Sequence, residues 1–590
     1  MNTFSGLELR ELQLSLPFVR KKRDELLQRC GLASEDADFA VGIFDSDDRM
    51  VATASLAGDV IKGVAADESV RSESLSSTLV SAIISYASQT GVSNLKVFTK
   101  PEYEDVFRAM AFHPVGRCES AALLEQDGRL LRSYKEYLEM IPRKGRVGCV
   151  VMNANPMTLG HCYLIEEASR QVDTLFVIPV ADDVSTQFSY AERIAILRDA
   201  TSAFHNVTVV EGSHYAISRS TFPSYFIKEV SEVTSAHIEL DLDIFARHIA
   251  PSLGVDVRFV GSEPTDELTA AYNEGMQRIL PSQGIEVCVI DRISEAGGDA
   301  CGGITGNVIS ASRVRSLLNE GRVGEAFRLV PKSTLPYLLG HAAAWALKGE
   351  LDLTPKPGLV DRDNSGSHND MDYDLMTDSI VSLVPAFTML AALSIGPDMP
   401  SASLIKAVGI EGERRMMEAT GGVNTHRGAL FSLGLAVVAS ARLLGRGEVL
   451  TTAAIQELIK TTAEGFPRPE GTHGALVSAR YGVPTALDAA RAGYPEAFGI
   501  IGEQNRHRML LRLMSVMDDS NVYHRCGPEV AAEVKAKATE TLSLHDCGLD
   551  GALREMDADF ISRRISPGGA ADMLALALFL RSVASDERIE

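Results

Sequence analysis

Two short segments of the chain combine residue types that can hold the phosphates of a nucleotide. Residues 153–161 (Asn-Ala-Asn-Pro-Met-Thr-Leu-Gly-His) follow an apolar run and lead into a helical pattern. Backbone N–H groups at the start of a helix point outward with the positive end of the helix dipole, which favours phosphate. Residues 309–315 open another helix with serines and arginines, whose hydroxyl and guanidinium groups can bind a triphosphate. Together the segments predict attack on the α-phosphate of ATP, a reaction that depends on positioning and charge neutralisation.

The candidate residues of this site follow from their types and positions. His161 and Thr158 are predicted to donate hydrogen bonds to the phosphates as catalytic residues, and Arg315 to hold the leaving pyrophosphate with its neighbouring serines. The predicted nucleotide-binding residues in these two segments are Asn153, Asn155, Gly160, Ser310, Ser312 and Arg315. An ordinary strand–helix turn and a capped distal helix would produce each pattern alone. Their order and separation favour a site.

A third polar segment, residues 353–372, lies far downstream. Two prolines and a glycine predict a loop, and Asp361, Asp370 and Asp372 crowd into it. Carboxylates this dense are costly to bury unless cations or hydrogen bonds compensate them, and such oxygen ligands suit Mg²⁺ carrying a triphosphate. Asp370 and Asp372 are therefore predicted metal ligands. From this segment alone, a solvated acidic loop is an equal alternative.

Three further segments favour the functional interpretation of that loop. Residues 422–428, 519–525 and 564–572 each place Asn, His, Arg or Asp beside a capping or helix-breaking element. The predicted catalytic carboxylates of this region are Asp361, Asp370, Asp372 and Asp519. The predicted phosphate and nucleotide ligands are Lys356, Asn424, Arg427 and Arg525.

The elements that must position these residues divide the chain into three predicted domains. Residues 1–142 mix strands and helices, with a hairpin pattern around 45–48 and a helix at 74–90, which predicts an α+β domain. Residues 143–332 alternate apolar strands with amphipathic helices and predict a parallel, Rossmann-like α/β sheet, with ligands at the carboxyl ends of its strands. Its later strands are expected at 174–180, 206–210, 256–260 and 285–290. Residues 337–590 lose the strand pattern and are predicted to be all-α.

Composition bounds the location and the partners. The net charge of −22 argues against nucleic acid and anionic membranes as partners. The cysteines are scattered without a CxxC pair, and no secretory signal pattern opens the chain, so we expect reduced thiols and a cytoplasmic location. Residues 379–397 carry no charge and approach membrane-span length, but Pro385 and several serines favour a buried core helix.

Two family resemblances belong to the N-terminal part. Residues 1–142 resemble the GNAT N-acetyltransferase fold, in which a glycine-rich loop wraps a pyrophosphate. Here the matching stretch, residues 71–76, has serines for both glycines, so we expect the fold without the acetyltransferase activity. The segments 153–161 and 309–315 resemble the HxGH and ISxTxxR motifs of nucleotidyltransferases, with Thr158 in place of the first histidine.

Residues 1–330 as a whole resemble the citrate lyase ligases. The resemblance rests on the segment around Thr158 and on the stretches 220–228, 258–264 and 271–274. The threonine is that family's own pattern, and the stretch 258–264 adds Gly261 and Glu263 to the nucleotide-binding residues that the resemblance implies. The resemblance implies that acetate and ATP form acetyl adenylate and pyrophosphate, and that the acetyl group passes to the prosthetic-group thiol on the citrate lyase acyl carrier subunit.

Residues 337–590 resemble the triphosphoribosyl-dephospho-CoA synthases through the four polar segments in their order. That family joins the triphosphoribosyl part of ATP to dephospho-CoA and expels adenine. In such a glycosyl transfer, a carboxylate can stabilise the anomeric centre while an acid assists the departing base. Where the family has an A-R-G-E-A loop, this chain has Leu487 and Ala489 in place of the arginine and the glutamate.

These resemblances together predict a bifunctional enzyme of citrate lyase activation. ATP with Mg²⁺, acetate, dephospho-CoA and the acyl carrier subunit are the expected substrates and partners. Two alternatives stay open at this point. In the first, only the ligase half is active and the helical half serves docking or assembly. In the second, the chain is a different small-molecule nucleotidyltransferase.

Overall fold

The computed structural model describes the chain apart from residues 1–5, 69, 71–72, 182–186, 214, 216–229, 263–266, 292–308, 469–470, 472 and 585–590. The chain folds into two compact units. The first comprises Met1–Pro156 and Gly160–Ile309, and the second comprises Met157–Leu159 and Ser310–Glu590. The seven cysteines in the described part are free thiols.

The first unit begins with a mixed seven-stranded sheet in the order β1-β2-β3-β4-β5-β7-β6. Its strands β4 and β5 are parallel, and the other neighbours are antiparallel. The predicted hairpin is confirmed as β2 and β3, and the predicted helix as α2, whose Leu79 and Ile83 are buried in the sheet's core. The elements are β1 Glu8–Glu11, α1 Pro17–Arg29, β2 Phe39–Phe44, β3 Met50–Ala57, β4 Val60–Ala66, α2 Glu73–Gln89, β5 Lys96–Thr99, α3 Glu104–Ala109, β6 His113–Arg117, β7 Ala122–Glu125 and α4 Arg129–Glu139.

A second sheet in the same unit has five parallel strands in the order β10-β9-β8-β11-β12. The predicted strands are confirmed, and β9 is buried along its whole length because a parallel sheet is covered by helices on its faces. The strand order changes direction between β8 and β11, and ligands bind at the carboxyl ends of strands at such a switch point. The elements are β8 Val147–Met152, α5 Leu159–Ser169, β9 Thr174–Pro179, α6 Tyr190–Thr201, β10 Val207–Val209, α7 Val230–Ile244, α8 Ala250–Leu253, β11 Val257–Gly261, α9 Glu267–Ile279 and β12 Glu286–Ile290, and a π-helical turn, Phe245–Ile249, joins α7 to α8.

The described part of the second unit contains helices and the loops that join them, without a strand, as predicted for residues 337–590. Helices α12, α13, α15 and α24 pack together at its centre. The elements are α10 Ala311–Asn319, α11 Val323–Ala326, α12 Leu335–Leu351, α13 Tyr373–Ser394, α14 Ala402–Ala419, α15 Arg427–Gly445, α16 Thr452–Glu464, α17 His473–Tyr481, α18 Ala486–Ala492, α19 Pro495–Phe498, α20 Arg506–Val516, α21 Ser520–Cys526, α22 Pro528–Leu542, α23 Asp546–Arg563 and α24 Gly568–Val583.

Two helices of this unit, α13 and α15, are long and apolar enough to span a membrane by length and composition alone. Helix α15 is mostly buried within the bundle, so its composition is that of a core helix. The uncharged segment 379–397 falls largely in α13, which buries Leu383, Phe387 and Leu390 but exposes Val381 and Met389. The expected core helix is therefore only half buried.

Candidate active sites

The turn after β8 has the local structure that the sequence predicts. Strand β8 ends at Met152, and α5 begins at Leu159, so that Gly160 and His161 lie in the first helical turn. Asn155 is buried, and its Oδ1 accepts a hydrogen bond of 3.1 Å from the N–H of Phe188. Asn153 and His161 retain exposed surface, and a ligand at the strand end can reach such side chains.

Arg193 holds this turn in place, and the sequence interpretation missed it. The side chain lies on α6 and is completely buried. Its Nη1 donates to the backbone oxygen of Asn153 at 2.9 Å, to Asn153 Oδ1 at 3.0 Å and to the backbone oxygen of Val180 at 2.8 Å. The guanidinium thus links Asn153, which follows the end of β8, to Val180, which follows the end of β9. The only signal in the sequence is an arginine within the otherwise apolar run 193–197.

Gly261 ends β11, the neighbour of β8 in the sheet. Its backbone oxygen accepts a hydrogen bond of 3.0 Å from Nδ2 of Asn273 on α9, which links the strand end to the motif at 271–274. Arg258 on the same strand is buried over the ring of Phe245, 4.2 Å from its centroid. Glu263, another predicted nucleotide ligand, lies outside the described residues, as does the stretch 220–228.

The remaining predicted nucleotide ligands belong to the second unit. Thr158 is only 1% exposed. Ser310 caps α10, since its hydroxyl accepts the N–H of Arg313 at 3.2 Å. Ser312 is exposed and Arg315 is partly buried in the first turns of this helix. The predicted helix opening at residues 309–315 is confirmed.

In the helical unit, Asp361 organises the loop between α12 and α13. The side chain is buried, and its carboxylate accepts hydrogen bonds from the N–H groups of Lys356 at 2.9 Å, Asp363 at 2.8 Å and Asn364 at 3.1 Å. Burial raises the pKa of this carboxyl. The carboxylate thus holds the backbone of its own loop in place through these hydrogen bonds.

Lys356 forms a buried ion pair that the sequence did not indicate. The side chain is 1% exposed, and its Nζ contacts the carboxylate of Glu350 on α12 and donates to the backbone oxygen of Glu350 at 3.1 Å. Glu350 is itself buried at the end of a helix that is otherwise rich in alanine and leucine. The predicted phosphate ligand therefore has a carboxylate partner inside the protein.

The four polar segments, although far apart in sequence, meet within this unit. His368 Nε2 and Ser566 Oγ share a hydrogen bond of 2.9 Å, which joins the first segment to the fourth. The N–H of Ala570 donates to Asp519 Oδ2 at 3.0 Å, which joins the fourth to the third. A Cβ added to Gly428 would lie 2.0 Å from Asp572 Oδ2, so the second segment also touches the fourth.

Two residues of these segments that the sequence analysis did not assign to the site, His426 and Asp572, belong to the same cluster. His426 is buried, and its Nδ1 shares a hydrogen bond of 2.7 Å with Ser379 Oγ. Burial and the nearby Lys356 lower the pKa of His426 to about 3, so the imidazole is neutral. Asp572 faces Glu350 and Asp519, and burial together with their charges raises the pKa of its carboxyl well above the ordinary range.

Four residues that the sequence predicts for the site of the helical unit lie on the surface, outside the buried polar cluster. Asp370 is 65% exposed. Asp372 caps α13 by accepting the N–H of Leu375 at 2.9 Å. Asn424 is exposed, and the exposed Arg427 pairs with Glu413 at 2.8 Å. Across the described ranges, no group of three or more His, Cys, Asp or Glu side chains forms a metal site.

Arg525 and the altered loop complete the cluster. Arg525 is exposed and donates to the backbone oxygen of Ser367 at 3.4 Å. Leu487 is buried in the short helix α18, which begins with a capping box between Thr485 and Asp488. The following Tyr494 is buried close to Asp572. With Leu487 and Ala489 in place of the family's arginine and glutamate, α18 is still a capped helix, and the chain that follows it reaches the polar cluster at Tyr494.

Comparison with known proteins assigns the two parts of the chain to different families. The model of the citrate lyase ligase C-terminal domain matches residues 147–338, and that of ATP:dephospho-CoA triphosphoribosyl transferase matches residues 336–589. Citrate (pro-3S)-lyase ligase of Escherichia coli (strain K12) is 38% identical and aligns with 54% of this chain and 93% of its own length. The ligase of Klebsiella pneumoniae is 37% identical, over 56% and 96%.

A relative of the C-terminal part comes from the same organism as one of the ligases. It is the 2-(5''-triphosphoribosyl)-3'-dephosphocoenzyme-A synthase of Klebsiella pneumoniae, 36% identical over 42% of this chain and 94% of its own length. The chain therefore belongs to the citrate lyase ligase family in its N-terminal half and to the triphosphoribosyl-dephospho-CoA synthase family in its C-terminal half, and is a bifunctional enzyme of citrate lyase activation.

Proposed function

We propose that the chain carries out two reactions on one prosthetic group. In the first, acetate attacks the α-phosphate of ATP to give acetyl adenylate and pyrophosphate, and the acetyl group passes to the prosthetic-group thiol of the citrate lyase acyl carrier protein. In the second, the ribose anomeric carbon of ATP is transferred to dephospho-CoA and adenine leaves. The family membership of both halves supports this pairing.

The first reaction is assigned to the carboxyl ends of β8 and β11. One observation carries this assignment: Gly160 and His161 open a helix directly after the central strand, at the switch point of a parallel sheet. His161 and Thr158 are assigned to the phosphates, with Asn153, Asn155 and Gly261 lining the nucleotide. On the motifs alone we add Gly160, Glu263, Ser310, Ser312 and Arg315.

Acetate-dependent exchange of radioactive pyrophosphate into ATP tests this reaction. The full chain should catalyse the exchange with acetate and not in its absence. A protein that shows no such exchange would refute the proposed ligase activity. Transfer of the acetyl group to purified acyl carrier protein with a free prosthetic-group thiol is the second readout.

The second reaction is assigned to the buried polar cluster of the helical unit. The observation that carries it is the meeting of four separated polar segments through His368, Ser566, Asp519 and Asp572. Asp519 is kept as a carboxylate of this site, and Asp361 and Lys356 act in positioning. Arg525, Arg427 and Asn424 are exposed and suit the triphosphate or dephospho-CoA.

Mg²⁺ enters this proposal as part of the nucleotide. Asp370 and Asp372 are exposed oxygen donors at the end of the loop 353–372, so they fit an ion that ATP brings and that keeps most of its water. The ion would neutralise phosphate charge. The side chains of the helical unit then hold the ribose and exclude water.

Release of adenine from ATP in the presence of dephospho-CoA tests the second reaction. The full chain should release adenine only when dephospho-CoA is present, and should form the triphosphoribosyl product in equal amount. Absence of adenine would favour a docking role for the helical half, which the loss of an arginine and a glutamate at Leu487 and Ala489 makes a real second candidate.

The finer fold assignments are also proposals. We assign residues 1–142 to a GNAT-like domain, 143–332 to a Rossmann-like nucleotidyltransferase domain and 337–590 to the synthase domain. The mixed seven-stranded sheet, the parallel five-stranded sheet and the helical bundle support this division. A cytoplasmic location follows from the proposed substrates, ATP and dephospho-CoA.

A further inference from the structure

Asp572 occupies a distinctive position in the polar cluster of the helical unit. It lies in the first turns of α24, and its carboxyl faces the first turn of α15, where the N–H of Ala429 points toward it. Its neighbour Asp519 accepts a hydrogen bond from Ala570 on the same turn of α24. The two carboxyl groups thus flank one helix terminus.

The charges around Asp572 are unbalanced. Asp572 interacts with two other carboxylates, Glu350 and Asp519, while Lys356 is paired with Glu350 and His426 is neutral. Among the described residues, the electrostatic partners of Asp572 are Glu350, Asp519 and Tyr494, none of which is a cation. Buried like charges without compensation are expensive, so one of these groups must hold a proton.

Hydrogen bonding decides which group that is. Burial raises the pKa of Asp519 as well, but its carboxylate accepts N–H groups from Asn521 at 2.9 Å and Ala570 at 3.0 Å, which favour its ionised form. Asp572 faces a single N–H, so less opposes its protonation. Glu350 has the Lys356 ammonium. Asp572 is therefore the group that retains its proton, in the manner of paired carboxyls whose surroundings separate their roles.

Access points to the same residue. Glu350 and Asp519 are buried, whereas Asp572 as a residue is only partly buried. The glycine at position 428 lets this carboxyl pack directly against the backbone of α15, since a Cβ at that position would lie 2.0 Å from Asp572 Oδ2. The hydroxyl of Tyr494 is buried nearby without a hydrogen-bond partner, so a polar ligand atom could pair with it.

We propose that Asp572 is the general acid that protonates adenine as it leaves ATP in the synthase reaction. This proposal rests on the proposed function of the helical half. As the bond between the ribose anomeric carbon and N9 breaks, its electron pair goes to adenine, and the carboxyl proton of Asp572 moves to N7 of the ring. The dephospho-CoA hydroxyl then forms the new bond to the anomeric carbon and loses its proton to water, and water reprotonates Asp572.

The test compares wild-type protein with Asp572→Asn, using ATP and 7-deaza-ATP, which has no N7 to protonate. With ATP, the variant should release adenine about 10²–10⁴-fold more slowly, the usual contribution of general acid catalysis. With 7-deaza-ATP, the wild-type protein should already be slow, and the substitution should change the rate little. A variant that slows both substrates equally, or neither, overturns the assignment.

Two controls separate a failure of the Asp572 assignment from misfolding of the variant and from a failure of the proposed synthase function. Acetate-dependent pyrophosphate exchange in the same variant should equal that of the wild type, which shows that the ligase half is intact, and an unchanged helical circular dichroism signal shows that the helical half is folded. If wild-type protein releases no adenine from ATP and dephospho-CoA, the proposed synthase function fails and this assignment fails with it. If adenine is released but Asp572→Asn keeps the wild-type preference for ATP over 7-deaza-ATP, only the assignment of Asp572 fails.

A pH profile provides a measurement that does not depend on folding of Asp572→Asn. Adenine release by the wild type should decline as the pH rises through the pKa of Asp572. Asp519→Asn removes a neighbouring negative charge, so the decline should move to lower pH. A wild-type profile without this decline, or one that Asp519→Asn leaves in place, contradicts the proposal.

Discussion

In the five-stranded sheet, the candidate site is centred on the end of β8 and the turn that follows it, so its central residues are neighbours in sequence as well as in space. In the helical unit, the candidate site joins residues from Glu350 to Asp572 across four separated segments. The first arrangement needs a strand, a turn and a helix terminus, which local sequence determines. The second depends on how a whole bundle packs. The difference teaches that a motif can identify the first kind of site, whereas the central groups of the second emerge only from tertiary structure.

The largest effect should come from breaking the buried pair of the helical unit. Lys356→Ala leaves Glu350 buried without its cation, and we expect the free energy of unfolding to fall by about 3–5 kcal/mol. Denaturant titration of the full chain measures this loss. Lys460→Ala, which removes a partly exposed lysine near Glu457, is the matched control and should cost about 0–1 kcal/mol. Equal losses in the two variants would contradict the importance of burial.

A substitution at the site that follows β8 should reduce activity and leave stability unchanged. His161→Ala removes the proposed phosphate donor, and acetate-dependent pyrophosphate exchange should fall by about 10²–10³-fold, as when one transition-state donor is lost. Adenine release should be unchanged. His205→Ala, at an exposed histidine of the same unit, is the control. Loss of both activities in a folded His161→Ala protein would contradict two separate sites.

The pH dependence of stability sharpens the comparison further. His426 stays neutral in the folded protein down to a pKa of about 3, whereas in the unfolded chain it takes up a proton near pH 6.5. Protonation therefore favours the unfolded state, and stability should fall as the pH drops from about 6.5 toward 3. Melting temperatures from pH 7 to pH 4 should show a shallower decline in His426→Gln than in the wild type. The same slope in His426→Gln as in the exposed His545→Gln would refute this origin.

The smallest losses of stability should come from removal of helix caps, and they should be alike in the two units. Capping boxes open α6 with Ser189 and α18 with Thr485. Ser189→Ala and Thr485→Ala should each reduce stability by about 1 kcal/mol, because each leaves helix N–H groups without an acceptor. Ser189→Asp and Thr485→Ser retain an acceptor and should stay close to wild type in the same unfolding measurement. A much larger loss at one cap would show that it has a role beyond its helix.

The sequence predicted the hairpin β2–β3, the five parallel strands and the helix start at His161, because each depends on residues close in the chain. It also identified the four polar segments. It did not identify Arg193, Glu350 or Asp572 as site residues, since a single charged residue on an apolar helix does not reveal its partner. Asp361 and Asp372 show the opposite difficulty. Aspartate that fixes a loop or caps a helix has the same sequence appearance as aspartate that does chemistry.

The hydroxyl of Thr334, fully buried, donates to the backbone oxygen of Met157 at 3.1 Å. Residue 334 lies close to the point where one family match gives way to the other. A division of the gene into separate ligase and synthase chains would therefore fall near this residue. A cut before Thr334 would deprive the ligase chain of the bond beside Thr158, and a cut beyond Leu335 would remove buried residues from the first turn of α12, so the dividing point belongs directly after Thr334.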